Sequence, residues 1–178
     1  MKIAIGNDHG GYCLKRPIID LLESMGHEVV DVGSYSDEIV RYPFYAAKVC
    51  RAIQLGEVDL GILICSTGIG MSIVANKYRG IRAALCYSTY QGKATALHNK
   101  SNVLCFGGKC LGDYEALDIV KAWLSTPYEG GRHDISLHII DEIEETNFTE
   151  TGVEWETKDA DVEQAARPGT ENTSHYRH

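Results

Sequence analysis

The sequence predicts an α/β protein: three layers, α/β/α, around a Rossmann-like, doubly wound parallel sheet of five strands. Three observations predict it. Five apolar, β-rich runs alternate with helical segments, the links between them are short, and glycines and polar residues gather just after the runs. Right-handed crossovers between such strands place helices on both faces of an open sheet, with ligands at the strands' carboxyl ends.

Each element follows in chain order. The first strand covers 2–6, where Lys2-Ile3-Ala4-Ile5 leads into Asn7-Asp8-His9-Gly10-Gly11, and a helix follows near 12–25. The second strand, 28–32, precedes a helix near 43–55. The third, 60–65, carries two β-branched isoleucines and stops abruptly in Ser66-Thr67-Gly68, as a strand covered on both faces does. A helix near 69–77, a strand at 81–86 and a helix near 90–98 come next. The fifth strand, 102–106, ends in Gly107-Gly108-Lys109 before a helix near 113–125. Beyond it, Ile135, Ile139, Ile140 and Ile143 share one face of a sixth helix, which packs on its own domain or reaches a partner subunit.

With 178 residues, 44% of them apolar, the chain forms one core and one main domain, 1–146. Residues 147–178 form an acidic extension with seven acidic and three basic groups, a composition typical of flexible segments, with Val153 and Trp155 as its apolar tethers. The net charge of −8 argues against a nucleic-acid backbone as partner, while a few local cations can still hold a small anion. No run approaches the roughly 18 apolar residues of a membrane span, so a cytoplasmic protein is expected. Six cysteines without a Cys-x-x-Cys pair point to reduced, buried thiols rather than disulfides or a zinc site.

The chemistry centres on Cys65. It closes the third strand, and Ser66-Thr67-Gly68-Ile69-Gly70-Met71-Ser72 then opens a helix whose first turn offers unpaired N–H groups to an anion. A thiol there is a base, a nucleophile, or only a small hydrophobe ending a strand. Asp8-His9 and His98-Asn99 supply further polar groups, which either join Cys65 at the strand ends or merely cap helices. Gly6-Asn7-Asp8-His9-Gly10-Gly11 lacks the Gly-x-Gly-x-x-Gly spacing of a dinucleotide site.

On these stretches, and on Gly26-His27-Glu28-Val29-Val30-Asp31-Val32-Gly33, Asn76-Lys77, Gly80-Ile81-Arg82-Ala83-Ala84-Leu85-Cys86, Asn102-Val103-Leu104 and Glu129-Gly130-Gly131-Arg132-His133, the chain resembles the ribose-5-phosphate isomerase B family. That family also takes in galactose-6-phosphate and allose-6-phosphate isomerases. The resemblance covers about residues 1–143 and implies a cofactor-free, metal-free aldose–ketose isomerase working through an enediolate. It implies Cys65 as the carbon base, Thr67 as the shuttle between substrate oxygens, and His98 as the ring-opening acid/base. The backbone amides from Ser66 to Gly70 (Ser66, Thr67, Gly68, Ile69 and Gly70) become the oxyanion hole, and Ser72 adds a hydroxyl or caps the helix. Asp8 and Asn99 hold sugar hydroxyls, while His9, Lys109 and Arg132 bind phosphate. It further implies a homodimer or homotetramer whose active sites join the Cys65 loop of one subunit to His98 and Arg132 of another.

Four positions depart from the family pattern. Ser136 stands where many members carry a second arginine, Lys109 where arginine is common, Ser66 where glycine is common, and Phe44 where an acidic residue often follows Tyr42-Pro43. Serine has no charge and lysine lacks the guanidinium fork, so the phosphate clamp is one cation short. The substrate is then ribose 5-phosphate or another aldose phosphate of four to six carbons. A non-catalytic module that binds a phosphorylated metabolite is the reading from another class, and binding alone needs no Cys65, Thr67 and His98 together.

Overall fold

Side chains alternate along the central strands, and the alternation assigns each helix to a face. A computed structural model describes residues 1–148, with strands β1 (Lys2–Asn7), β2 (Glu28–Asp31), β3 (Leu60–Cys65), β4 (Ala83–Leu85) and β5 (Val103–Gly107). The helices are α1 (Tyr12–Ser24), α2 (Tyr42–Gln54), α3 (Ile69–Ala75), α4 (Thr89–Asn99), α5 (Asp113–Ser125) and α6 (Arg132–Asn147). Ile3, Ile5, Ile62, Ile64, Leu104 and Phe106 face a core made with α1, α4 and α5. Ala4, Leu63, Cys65, Val103 and Cys105 face the opposite core, made with α2 and α3. Both faces of β1, β3 and β5 are dry, which is why these strands read as nearly unbroken apolar runs.

All pairings are parallel, in the order β2-β1-β3-β5-β4. The chain leaves β1 toward β2 on one side and returns to β3 on the other, so the loops after β1 and β3 diverge at a topological switch point. The predicted three-layer sheet is therefore the observed one. Its edges are shorter than expected. The fourth strand is only Ala83–Leu85, and the Asn76 side chain bonds Ala83 in both directions (2.9 Å each) on the outer edge, where a further strand would pair. Helix α3 stops at Ala75, two residues early, and α6 begins at Arg132 and runs on to Asn147.

Helix α6 buries none of its residues: Ile135, Ile139, Ile140 and Ile143 remain 66%, 49%, 43% and 53% exposed. Glu144 ties it back by accepting the Gly80 amide at 2.8 Å. The expectations for the acidic extension, including tethering by Val153 and Trp155, lie outside the described residues from 149 onward. Among the described residues no helix is long and apolar enough to cross a membrane. Of the six cysteines, Cys50, Cys65, Cys86 and Cys105 are buried, but Cys13 and Cys110 are exposed, contrary to a wholly buried set.

Candidate active site

Three loops meet backbone to backbone at the carboxyl edge of the sheet. They follow β1, β3 and β5. The Asp8 amide donates to the Ile64 carbonyl (3.1 Å), Gly108 to Cys65 (2.8 Å) and Lys109 to Ser66 (3.1 Å). Gly10 makes this closeness possible: a Cβ there would lie 2.1 Å from Ser66 Oγ and 2.6 Å from its amide nitrogen. The loops are therefore tied directly to one another.

Cys65 ends β3 with its thiol on the α2/α3 face, 5% exposed. Its sulfur accepts the Gly68 amide at 3.0 Å. Gly68 reaches back because its φ is +72°, a left-handed conformation that side chains disfavour, and it forms the N-cap of α3. Thr67 is exposed, and its Oγ1 accepts the Ile69 amide at 3.4 Å. The amides of Thr67, Gly70 and Met71 find no acceptor among the described residues and remain donors for a ligand. Ser72 is not the cap; its hydroxyl donates to the Ile69 carbonyl at 2.9 Å, inside the helix.

Asp8 is 4% exposed and accepts the Gly10 amide at 2.8 Å. Burial raises its pKa above the ordinary 3.8, opposed by His9, the Gly10 and Gly11 amides and the Lys109 ammonium. The Lys109 amide on the Ser66 carbonyl keeps this residue at the same edge. His9 accepts the Val40 amide on Nδ1 at 3.4 Å, so the neutral ring carries its proton on Nε2, as a donor. Two tyrosines that the sequence did not single out join the edge. Tyr42 packs its ring against Gly70, and Tyr87 donates its hydroxyl to the Thr67 carbonyl. Burial and the nearby Cys110 and Cys65 thiols raise the Tyr87 pKa. Tyr87 follows the fourth strand, so the rule that functional groups gather after strands could have found it.

His98 and Asn99 are elsewhere. Helix α4 starts after β4 at the carboxyl edge and runs back, so its last turn sits where β4 and β5 begin. The Asn102 amide donates to Arg82 there, and Lys100 closes the helix at φ 47°. Arg132, exposed at the start of α6, joins that end, where Glu129 donates its amide to Leu97 at 3.0 Å. Asn99 lines a cavity of about 440 Å³ under α6, with Arg82, Ser101, Ile140 and Glu144. The expectation that His98-Asn99 joins Cys65 at one set of strand ends within the chain is therefore corrected. A crossover helix returns the chain to the opposite edge.

Similarity to known proteins agrees with this arrangement of motifs. The profile of the ribose/galactose isomerase family matches residues 3–140. The chain belongs to the ribose/galactose isomerase family. It is an enzyme of the aldose–ketose isomerase class. Ribose-5-phosphate isomerase B of Escherichia coli is 49% identical over 144 residues, covering 81% of this chain and 97% of the relative. D-erythrulose-4-phosphate isomerase of Pectobacterium atrosepticum is 42% identical over 133 residues, 74% of this chain and 87% of the relative. The solved ribose-5-phosphate isomerase B of Clostridium thermocellum superposes with a TM-score of 0.80 at 49% identity, covering 82% of this chain and 99% of that one.

Within this isomerase, then, the structure brings together Asp8, His9, Cys65, Ser66, Thr67, Gly68, Ile69, Gly70, Ser72 and Lys109. It sets His98, Asn99 and Arg132 apart from them.

Proposed function

We propose that the enzyme interconverts a sugar phosphate aldose and its ketose through an enediolate, with ribose 5-phosphate and ribulose 5-phosphate as the leading pair. The observation that carries this reading is the Cys65 sulfur, held by the Gly68 amide beside free loop amides, with Asp8, His9 and Lys109 at the same edge. The Cys65 thiolate takes the proton from C2 of the open-chain aldose. The C2–H electron pair becomes the C1–C2 double bond, and O1 takes the negative charge beside the loop amides. Thr67 passes the O2 proton to O1, and the thiol returns its proton to C1, which leaves the ketone at C2.

The remaining groups complete the site from a second copy of the chain. Roughly 16 Å of sheet, five residues at about 3.3 Å each, separates the Cys65 loop from His98 and Arg132, too far for one sugar phosphate to bridge. A homodimer supplies the partner's set, and the uncovered isoleucine face of α6 is the surface that would carry it. His98 opens the sugar ring, Asp8 and Asn99 bind hydroxyls, and His9, Lys109 and Arg132 hold the phosphate.

A second reading, an isomerase for a tetrose phosphate or for allose or galactose 6-phosphate, is favoured by the neutral Ser136, by Lys109, and by the relative named for erythrulose 4-phosphate. An activity screen over aldose phosphates of four to six carbons decides between them. In the same assay Cys65→Ala is expected to abolish turnover while a non-reacting sugar-phosphate analogue still binds. Turnover retained in that variant would remove Cys65 as the base.

A further inference from the structure

The end of α4 carries a second constellation. His98 and His133 stack with ring centroids 4.4 Å apart and planes 17° from parallel. Both Nε2 atoms lie near one carboxylate oxygen, Glu129 Oε2, at 3.9 Å from His98 and 3.2 Å from His133. Among the described residues these three form a group whose donor atoms all lie within 4.8 Å of one another.

The scaffold holds them there without the help of a shared helix face. Glu129 is pinned by its amide to the Leu97 carbonyl, one residue before His98. The Gly130-Gly131 turn then brings His133 back over it, with the His133 amide on the Gly130 carbonyl at 3.2 Å. Only His133 is within hydrogen-bonding reach of Glu129 Oε2, at 3.2 Å, while His98 stands 3.9 Å from the same oxygen. A divalent ion held by all three would neutralise the carboxylate and use both imidazole nitrogens at once.

The geometry points to a three-donor site for a zinc-class divalent cation formed by His98, Glu129 and His133, whose occupation withdraws His98 from the sugar. Tetrahedral zinc with bonds near 2.0–2.1 Å sets its donors about 3.4 Å apart, and the separations of 3.9 and 3.2 Å bracket that spacing. Two imidazoles and one carboxylate suit zinc, cobalt or nickel over magnesium or calcium. The stacked rings aim their lone pairs in different planes, so one ring must turn about its Cβ–Cγ bond. His98, 35% exposed at a helix end, is the ring that turns, while His133 at 16% stays. Three protein ligands leave a fourth position open to water.

The inhibitory half of this inference rests on the isomerase reading above; the binding half does not, because it is read without substrate. Cobalt(II) added to the full chain is expected to give a visible ligand-field band saturating at one ion per chain and displaced by zinc. Glu129→Gln and His133→Asn should each weaken cobalt binding by more than the roughly tenfold cost of losing even an outer-shell partner. Absence of the band, or a band unchanged in both variants because other histidines hold the metal, overturns the site. In turnover assays zinc is expected to slow the wild type, and Glu129→Gln should need more zinc by the same factor as its loss of cobalt affinity. Full wild-type turnover with the site saturated overturns the withdrawal of His98.

Discussion

Asp8 is held under two opposed demands. It caps the short turn at His9–Gly11 through the Gly10 amide, and its burial penalises the charge that does the capping. The net effect is a folded-state pKa above 3.8. A raised carboxyl pKa means that the folded state binds the proton more tightly than the unfolded chain. Its contribution to stability is therefore greatest below 3.8 and is lost as pH rises through the folded value. Asp8→Asn keeps the cap and removes the buried charge. The variant should be more stable than the wild type at neutral pH, with the gap closing in acid; urea midpoints across that range measure it. A wild type that is the more stable at pH 7 would mean that Lys109 and the amides outweigh desolvation. His9, at the next position, shows how local chemistry prepares a donor: one backbone bond to Nδ1 leaves Nε2–H outward.

Loops and helices decide how well those residues hold their places. The β1 and β3 loops touch at Gly10 and Ser66, and the contact leaves no room for a methyl group. Gly10→Ala must displace backbone rather than a flexible side-chain tip. A loss of about 1–3 kcal/mol in unfolding free energy, as for other overpacked sites, is expected, with a fall in kcat because Cys65 moves with Ser66. Chemical denaturation and turnover on the same preparation check it, and an unperturbed kcat would uncouple the two loops. The elements themselves were legible where pattern and burial agree. Strands β1, β3 and β5 were read almost residue for residue, since both faces of each are covered. The edge strand β4 is shorter than its apolar run, since only Ala83–Leu85 pair with β5, and Asn76, a side chain from another element, covers its outer edge. The start of α6 was placed three residues late, since apolar periodicity marks only Ile135 onward, while the helix is set by the preceding turn.

Over the whole molecule, the separation of Cys65 from His98 is the dominant fact. If each active site takes Cys65 from one subunit and His98 from another, two crippled chains can rescue each other. A hybrid of Cys65→Ala and His98→Asn subunits has one site with both lesions and one with none. Random pairing makes half the dimers hybrid, so co-refolded equal mixtures should recover about a quarter of wild-type turnover. Mixtures no more active than the average of the two separate variants would place the whole site in one chain.

The linear sequence determined the sheet, the edge where the polar loops gather and the candidate residues, because strand periodicity, glycine spacing and short polar loops are local signals written within a few residues of each other. It also carried the family, through motifs spread from Met1 to His133. What only the tertiary structure decided is which of those residues share an edge. That depends on the direction in which α4 runs back across the sheet, carrying His98 to the end opposite Cys65. The same is true of the gathering of His98, Glu129 and His133, which a helix end and a glycine turn bring together from 35 residues apart in the chain.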